Sequence, residues 1–298
     1  MSKPYQICNP RQFNLIGNGL NFRKNAYWKV CNPLNFSGLQ LVPVGSIENP
    51  FTGTFNGNNK MIFNYNYAAD PTGRGSVALF ISVNNAMLTN LILKPMPITY
   101  STIQISRKRA ALAIEVNNSI ITNIVGILQN IHAVDYSGGL IFNMVNSVVR
   151  NVIIQSTLTV GFGLDGFGLL ASRINLCSIT TVNIIGEGNV SRSILGDLYG
   201  ISGIGVVSGI AMRSNISSVN IFFPFALGPT PSYFLPINVG IVVGKSTGNN
   251  FRYINVINSP LSFGNLIITN IFGTYPYPYL GIITGETIST TFNNLLIV

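Results

Sequence analysis

Charged side chains are scarce in this sequence. Only 8% of its 298 residues are Asp, Glu, Lys or Arg, whereas 47% are hydrophobic. An ordinary soluble domain is about 25% charged, and a disordered chain is less apolar than this one. The composition therefore excludes disorder and predicts a sizeable core. A surface rich in Asn, Ser and Thr and poor in charge favours permanent packing against other protein.

Long hydrophobic runs are lacking as well. No uncharged apolar stretch reaches the ~20 residues of a transmembrane helix, and the closest, 222–241, contains four prolines. The opening MSKPYQICNP has no apolar signal core. We therefore expect no transmembrane segment. We favour a virion or an intracellularly assembled particle as the location, with the extracellular or cell surface as the alternative.

The residues that usually carry chemistry are few and scattered. His132 is the single histidine, no G-x-S-x-G or phosphate-binding motif occurs, and the eight acids form no close pair in sequence. Stacking of repeats could bring Asp135 and Asp165 together, as a polysaccharide-active enzyme needs, but turn-forming Asp is the favoured interpretation. We expect a non-enzymatic protein with no cofactor.

Three cysteines, Cys8, Cys31 and Cys177, stand far apart in the chain. The odd count and the absence of CxxC argue against a disulfide framework and a zinc site. Buried free thiols are the favoured prediction. A Cys8–Cys31 pair is the alternative, if the N-terminal segment brings the two together.

One short unit recurs along the chain and is clearest at Gly138–Ile154, which reads GGLIFNMVNSVVRNVII. A small residue opens an apolar run, and a second apolar run follows a polar turn after 12 or 13 residues (151 − 139; 181 − 168). The opening residues are Ala78, Ala111, Gly139, Gly168, Gly205, Gly240 and Gly281. The residues before the second run are Asn90, Asn123, Asn151, Thr181, Ser218, Tyr253 and Asn294.

Each unit indicates two short strands, because its runs are β-branched or aromatic and its glycines disfavour helix. A single unit is too small to bury its apolar face, whereas stacked units bury it in columns of like residues. The pattern therefore predicts an all-β, single-domain parallel β-helix, or β-solenoid, with lateral loops. Small residues and Asn would form its corners, with each Asn bonding the backbone of the next coil.

The segment before the repeats resembles the entry segment of the GLUG-repeat β-helix proteins. The similarity is carried by Pro43–Ile62, PVGSIENPFTGTFNGNNKMI, and by Gly138–Ile154, which is similar to the family's repeat. Asn32, Asn35 and Asn56 stand where the family usually has Asp. The resemblance implies a right-handed β-helix, with 1–70 as an N-terminal entry and capping segment and 71–298 as about seven repeats. It also implies adhesin-like surface roles, although fold alone does not fix function.

Three segments are candidates for interaction. The basic cluster Arg107, Lys108 and Arg109 could meet phosphates or an acidic partner, with a solvated spacer as the favoured alternative. A loop carrying Tyr275, Tyr277 and Tyr279 could stack on sugars, contact another subunit or pack on the solenoid flank. Leu296 and Val298 lie in the last repeat, which ends without a polar cap and would expose apolar surface to another chain.

These features predict a structural or interaction protein whose partners are other subunits, of its own or another kind, in a virion or particle. An adhesin-like glycan-binding module is the alternative, and a polysaccharide-active enzyme is a third possibility. The net charge of +9 could attract nucleic acid. The aromatics, however, do not interleave with the bases as a stacking platform requires, so nucleic-acid binding is disfavoured.

Overall fold

The computed structural model describes residues 3–17, 23–65, 77–96, 108–133, 138–160, 166–190, 203–227, 239–257, 261–263, 280–281 and 284–297. Across these residues the regular structure is β-strand, apart from one short helix, α1 (Pro10–Phe13). The strands are β1 (Tyr5–Ile7), β2 (Tyr27–Val30), β3 (Leu34–Asn35), β4 (Thr54–Asn56), β5 (Met61–Phe63), β6 (Phe80–Asn84), β7 (Met87–Lys94), β8 (Ala113–Asn117), β9 (Ile120–Ala133), β10 (Ile141–Val145), β11 (Val148–Val160), β12 (Ala171–Asn175), β13 (Ser178–Val190), β14 (Ile204–Gly205), β15 (Ser208–Met212), β16 (Asn215–Phe222), β17 (Phe225–Leu227), β18 (Val239–Gly240), β19 (Val243–Thr247), β20 (Asn250–Val256), β21 (Leu261–Phe263), β22 (Leu280–Gly281), β23 (Thr284–Ile288) and β24 (Thr291–Ile297).

The described strands form three sheets whose pairings are parallel. The long sheet runs β1-β2-β4-β7-β9-β11-β13-β16-β20-β24, the second sheet runs β6-β8-β10-β12-β15-β19-β23, and the smallest is β14-β18-β22. Each strand pairs with the equivalent strand one repeat away, so a second-sheet strand, a corner and a long-sheet strand make up most of one coil. The predicted all-β, parallel, solenoid-like architecture is confirmed at this level.

The predicted corner residues before the second run all adopt left-handed backbone angles. The seven φ values lie between +53° and +56°, from Asn90 to Asn294. At each of these residues the long-sheet strand bends, and side chains on both sides of the bend point inward: Leu88 and Leu91 around Asn90 are both buried. Asn suits this conformation, whereas Thr181 and Tyr253 adopt it at a steric cost.

A second corner column lies five residues earlier in each of the seven repeats and was not predicted. It also has positive φ, from +47° to +63°, and joins the second sheet to the long sheet. Its members are Asn85, Asn118, Asn146, Leu176, Arg213, Gly248 and Ser289. The residue types differ too much for composition to reveal the column.

The opening small residues lie at or beside a third bend, as predicted, but they do not form one column. The pairing of Ile141 with Ala171 places Leu169 level with Gly139, and Gly205, Gly240 and Gly281 lie in β14, β18 and β22. Gly139 donates its amide hydrogen to the Gly168 carbonyl, and Gly205 pairs with Gly240. Cβ atoms built on Gly139 or Gly168 would collide with the backbone of the next coil. A side chain at Gly139 or Gly168 is therefore incompatible with the close approach of the next coil, whereas the first two repeats open with Ala78 and Ala111, both fully buried.

Inward-facing side chains form one continuous core. At its N-terminal end the core is aromatic: Phe13 of α1 contacts Phe36, Phe55 and Phe80, with ring centroids 5.7–6.2 Å apart in edge-on arrangements. Helix α1 begins at a capping residue, because the Asn9 side chain accepts a hydrogen bond of 3.0 Å from the Gln12 amide. The helix thus holds Phe13 over the first coils.

The prediction of free thiols is wrong for two of the three cysteines. Strands β1 and β2 pair in parallel, with Ile7 opposite Val30, and the Cys31 amide donates to the Ile7 carbonyl. This register places the Cα atoms of Cys8 and Cys31 5.0 Å apart, and the two form a disulfide. Cys177 is a buried free thiol, as predicted.

The long sheet is continuous across the proposed boundary between entry segment and repeats. Strands β4 and β5 both pair with β7, so the first coils share a sheet and a core with the repeats. The division at residue 70 stays a prediction, since 66–76 lie outside the described residues.

Candidate interaction surfaces

Five of the eight predicted interaction residues lie outside the described residues: Arg107, Tyr275, Tyr277, Tyr279 and Val298. The same holds for the acid pair Asp135 and Asp165. Lys108, Arg109 and Leu296 are described.

Lys108 makes its contacts within the chain. Its Nζ lies 2.8 Å from Oε1 of Glu115 and 5.2 Å from the ring centre of Phe142. Asn143 donates a 2.6 Å hydrogen bond to the other Glu115 oxygen, Oε2. The lysine therefore already has an anionic partner and an aromatic face, which reduces what it can offer to a phosphate.

Leu296 belongs to an apolar surface on the outside of the long sheet, in the part of each strand that follows the corner. We call this surface the lateral face and define it by Ile153, Ile185, Phe222, Ile257 and Leu296. These side chains are 38%, 46%, 46%, 37% and 50% exposed. Register places Ile185 beside Phe222 on adjacent strands, so apolar groups recur from coil to coil.

Asparagines fill the row between the apolar groups of the lateral face. Asn220 donates a 2.7 Å hydrogen bond to Asn183, and Asn255 donates one of 2.7 Å to Asn220. Leu296 and Ile153 continue this row at its two ends. The five apolar side chains and this row of amides are uncharged, and the amides are largely paired with each other. Glu187, exposed two residues after Ile185 on β13, borders the face.

In the last described strand, side chains at core positions are exposed to solvent. Phe292, Leu295 and Ile297 of β24 are 37%, 37% and 48% exposed, whereas their neighbours in β20, Phe251, Ile254 and Val256, are at most 1% exposed. Each pair shares a core column. We call this surface the open end.

Two further ladders of asparagine side chains run along the corners of the N-terminal coils. Asn123 donates to Asn90 at 2.9 Å and Asn151 to Asn123 at 3.1 Å, while Asn146 donates to Asn118 at 2.7 Å. The sequence predicted bonds to the backbone of the next coil. The observed bonds join side chain to side chain, because parallel stacking places identical amides one above the other.

At the corner between the second sheet and the long sheet, one column of inward-pointing side chains is made of small polar residues. The hydroxyls of Ser119 and Ser147 each accept a 3.1 Å hydrogen bond from a backbone amide of the preceding coil, and Ser214 does the same for Cys177 at 3.0 Å. Burial raises the pKa of the Cys177 thiol above its ordinary value. The thiol is therefore protonated and unreactive at neutral pH.

The described residues contain no group of three His, Cys, Asp or Glu side chains placed to share a metal ion. In the described part of the chain there is likewise no helix long and apolar enough to cross a membrane.

Comparison with solved structures shows a similarity of fold. The chain resembles the crystal structure of a putative immunoglobulin A1 protease from Bacteroides ovatus, with a TM-score of 0.62 and 16% sequence identity over 96% of this chain and 84% of that one. No protein-family description matches the chain. No curated protein matches it either. At this identity the likeness concerns the fold alone.

Proposed function

We propose that this chain is a non-enzymatic structural protein that joins other protein subunits in a large assembly, such as a virion or a particle surface. The observation that carries the proposal is the lateral face. It presents five exposed large apolar side chains on one side of the long sheet, and the charged side chain of Glu187 lies beside them at its border.

The chemistry of this face suits a permanent contact. Interface cores are depleted of charged residues, and exposed apolar patches on a sheet mark protein contacts. The solvated face of a sheet usually carries polar side chains. Here the ladder Asn183–Asn220–Asn255 satisfies part of its own hydrogen bonding, which lowers the cost of removing water from it.

The disulfide bears on the location of the assembly. Disulfides persist in oxidising surroundings, which include virion and cell surfaces, and are rare in the reducing cytosol. The Cys8–Cys31 bond therefore supports a particle or surface that leaves the cytosol after it is built.

We further propose that the coils close into a right-handed parallel β-helix, as the GLUG-repeat resemblance implies. Support comes from the general rule that crossovers between parallel strands of one sheet are right-handed in about 98% of cases. Three corners per coil, two with positive φ and one with a close glycine approach, also suit a closed coil. A crystal structure with left-handed or unclosed coils would overturn this proposal.

Sedimentation velocity of the purified protein at micromolar concentration tests the assembly. We expect species larger than a monomer, and we expect the double variant Ile185→Lys/Phe222→Lys to be monomeric, because two lysines make the lateral face repel its partner. The matched control is Asn215→Lys, an exposed position at the start of β16, which should leave the assembly intact.

Circular dichroism and thermal melting establish that both variants are folded. A wild-type protein that stays monomeric, with or without the other components of a candidate particle, contradicts the proposal. So does an assembly that the double variant leaves unchanged.

A further inference from the structure

A groove crosses the N-terminal end of the long sheet, away from the lateral face. Its volume is about 580 Å³, and its walls come from residues in or next to β1, β2, β4, β7 and β9. These are consecutive strands of the sheet. With neighbouring strands about 4.8 Å apart, the groove is roughly 19 Å long and runs along the stack.

Small residues line the floor of the groove. Ala26, Gly53 and Ala86 occupy one row, since the amides that follow Gly53 and Ala86 donate to the carbonyls of Ala26 and Gly53, respectively. A Cβ at Gly53 would collide with the Ala26 carbonyl. Later coils continue this row with Ser147, Cys177, Ser214 and Asn249, whose side chains are buried in the interior.

Polar groups without partners face the groove. The side chains of Asn25, Thr52 and Asn85 line it, all are exposed, and none of the three makes a side-chain hydrogen bond to another described residue. An amide offers two donors and an acceptor, and a hydroxyl offers both roles. The groove therefore presents several unused hydrogen-bonding groups along its length.

Apolar surfaces lie at its two ends. Tyr5 is 44% exposed, and its ring packs on the buried Trp28 ring with centroids 4.8 Å apart. Ile120, at the other end, is also 44% exposed. The tryptophan fixes the tyrosine ring in place, so that a ligand can stack on it with little loss of side-chain entropy.

Among the described residues, no Asp, Glu, Lys or Arg lines the groove. Phosphates and acidic sugars need cationic partners, and nucleic acids bind mainly through such contacts. An extended peptide would need a free strand edge, whereas this floor lies across paired strands. A neutral oligosaccharide matches the lining, because each sugar has hydroxyls for the amides and a C–H face for the aromatic ring.

We propose that this groove binds a neutral oligosaccharide, stacked on Tyr5 and hydrogen-bonded by Asn25, Thr52 and Asn85. The site is separate from the lateral face, so it can act whether or not the chain assembles.

Isothermal titration of the full chain with neutral hexasaccharides (cellohexaose, maltohexaose, laminarihexaose, xylohexaose and mannohexaose) tests the proposal. We expect at least one to bind with a dissociation constant below one millimolar. Tyr5→Ala should raise that constant about tenfold, and Asn85→Gly should also raise it. Glycine tolerates the positive φ of Asn85, so the second variant loses the amide without backbone strain.

Tyr253→Ala is the matched control, since this tyrosine is exposed on β20 far from the groove, and it should bind as the wild type does. Binding by none of the hexasaccharides, or binding that Tyr5→Ala and Asn85→Gly leave unchanged, overturns the proposal. Binding of oligogalacturonate alone would also overturn it, because the ligand would then be acidic.

Discussion

The two ends of the described stack differ in how far the core side chains are covered. At the N-terminal end α1 places Phe13 over the first coils, and Ile7, Trp28 and Val30 are at most 1% exposed. At the open end the equivalent inward side chains of β24 stand in solvent. The coils in between are nearly uniform, so the difference lies in what covers each end.

This difference shows how a solenoid is stabilised. Every inner coil is covered by its two neighbours, and an end coil needs a substitute for one of them. The N-terminal substitute combines a capped helix, a disulfide and an aromatic cluster in which Phe13 packs on Phe36, Phe55 and Phe80. Residues near this end should therefore contribute more to stability than residues in the same kind of column at the open end.

The largest expected effect compares two phenylalanines. Phe13→Ala should lower the free energy of unfolding by about 4 kcal/mol, as for other fully buried rings. Phe292→Ala should lower it by only about 1 kcal/mol, because Phe292 stacks on Phe251 with one face and is exposed on the other. Urea denaturation measures both. Equal losses would mean that the open end is covered in the protein.

The disulfide should give the next largest effect. Cys8→Ser/Cys31→Ser removes a cross-link with a sequence separation of 23, which should lower the free energy of unfolding by about 3 kcal/mol. Thermal melting with and without reductant provides the measurement. Cys177→Ser is the control and should be nearly neutral, because serines occupy the neighbouring places in that column. If the double variant unfolds with the same free energy as the wild type, the helix and the aromatic cluster are enough to stabilise the N-terminal end without the disulfide.

The smallest expected effect concerns the corners. The N-terminal coils have Asn at the bend, whereas the later coils have Thr181, Ser218 and Tyr253 at the same φ. Thr181→Asn should raise the free energy of unfolding by about 1 kcal/mol, because it relieves a β-branched residue at positive φ. It would also extend the ladder that ends at Asn151. Thr180→Asn, one residue earlier, should bring no gain, and a gain there would exclude the backbone explanation.

The stacked architecture was well predicted from the sequence, because each coil places residues of the same kind at the same positions as the coil before it. The column of Asn151 was readable as a corner because Asn tolerates positive φ. Gly139 marked a bend because its missing Cβ lets the next coil approach closely. The column of Asn146 was missed because it continues as Leu176 and Arg213, although its constant offset of five residues was a usable signal.

The N-terminal features were harder to predict. Pairing of Cys8 with Cys31 depends on the register of β1 and β2, which no repeat reveals. The groove depends on Ala26, Gly53 and Ala86 sharing one row, and these residues stand in segments without common spacing. The lateral face was foreseen only at Leu296, because outward positions become a surface only once the register is known.

Hydrogen–deuterium exchange followed by mass spectrometry tests the contrast between the two ends most directly. At low protein concentration we predict that peptides covering β24 exchange rapidly, since one edge of this strand has no partner among the described residues, whereas peptides covering α1 and β2 stay protected. Protection of β24 equal to that of β2 under these conditions would contradict the account, because it would show that the core is closed at both ends.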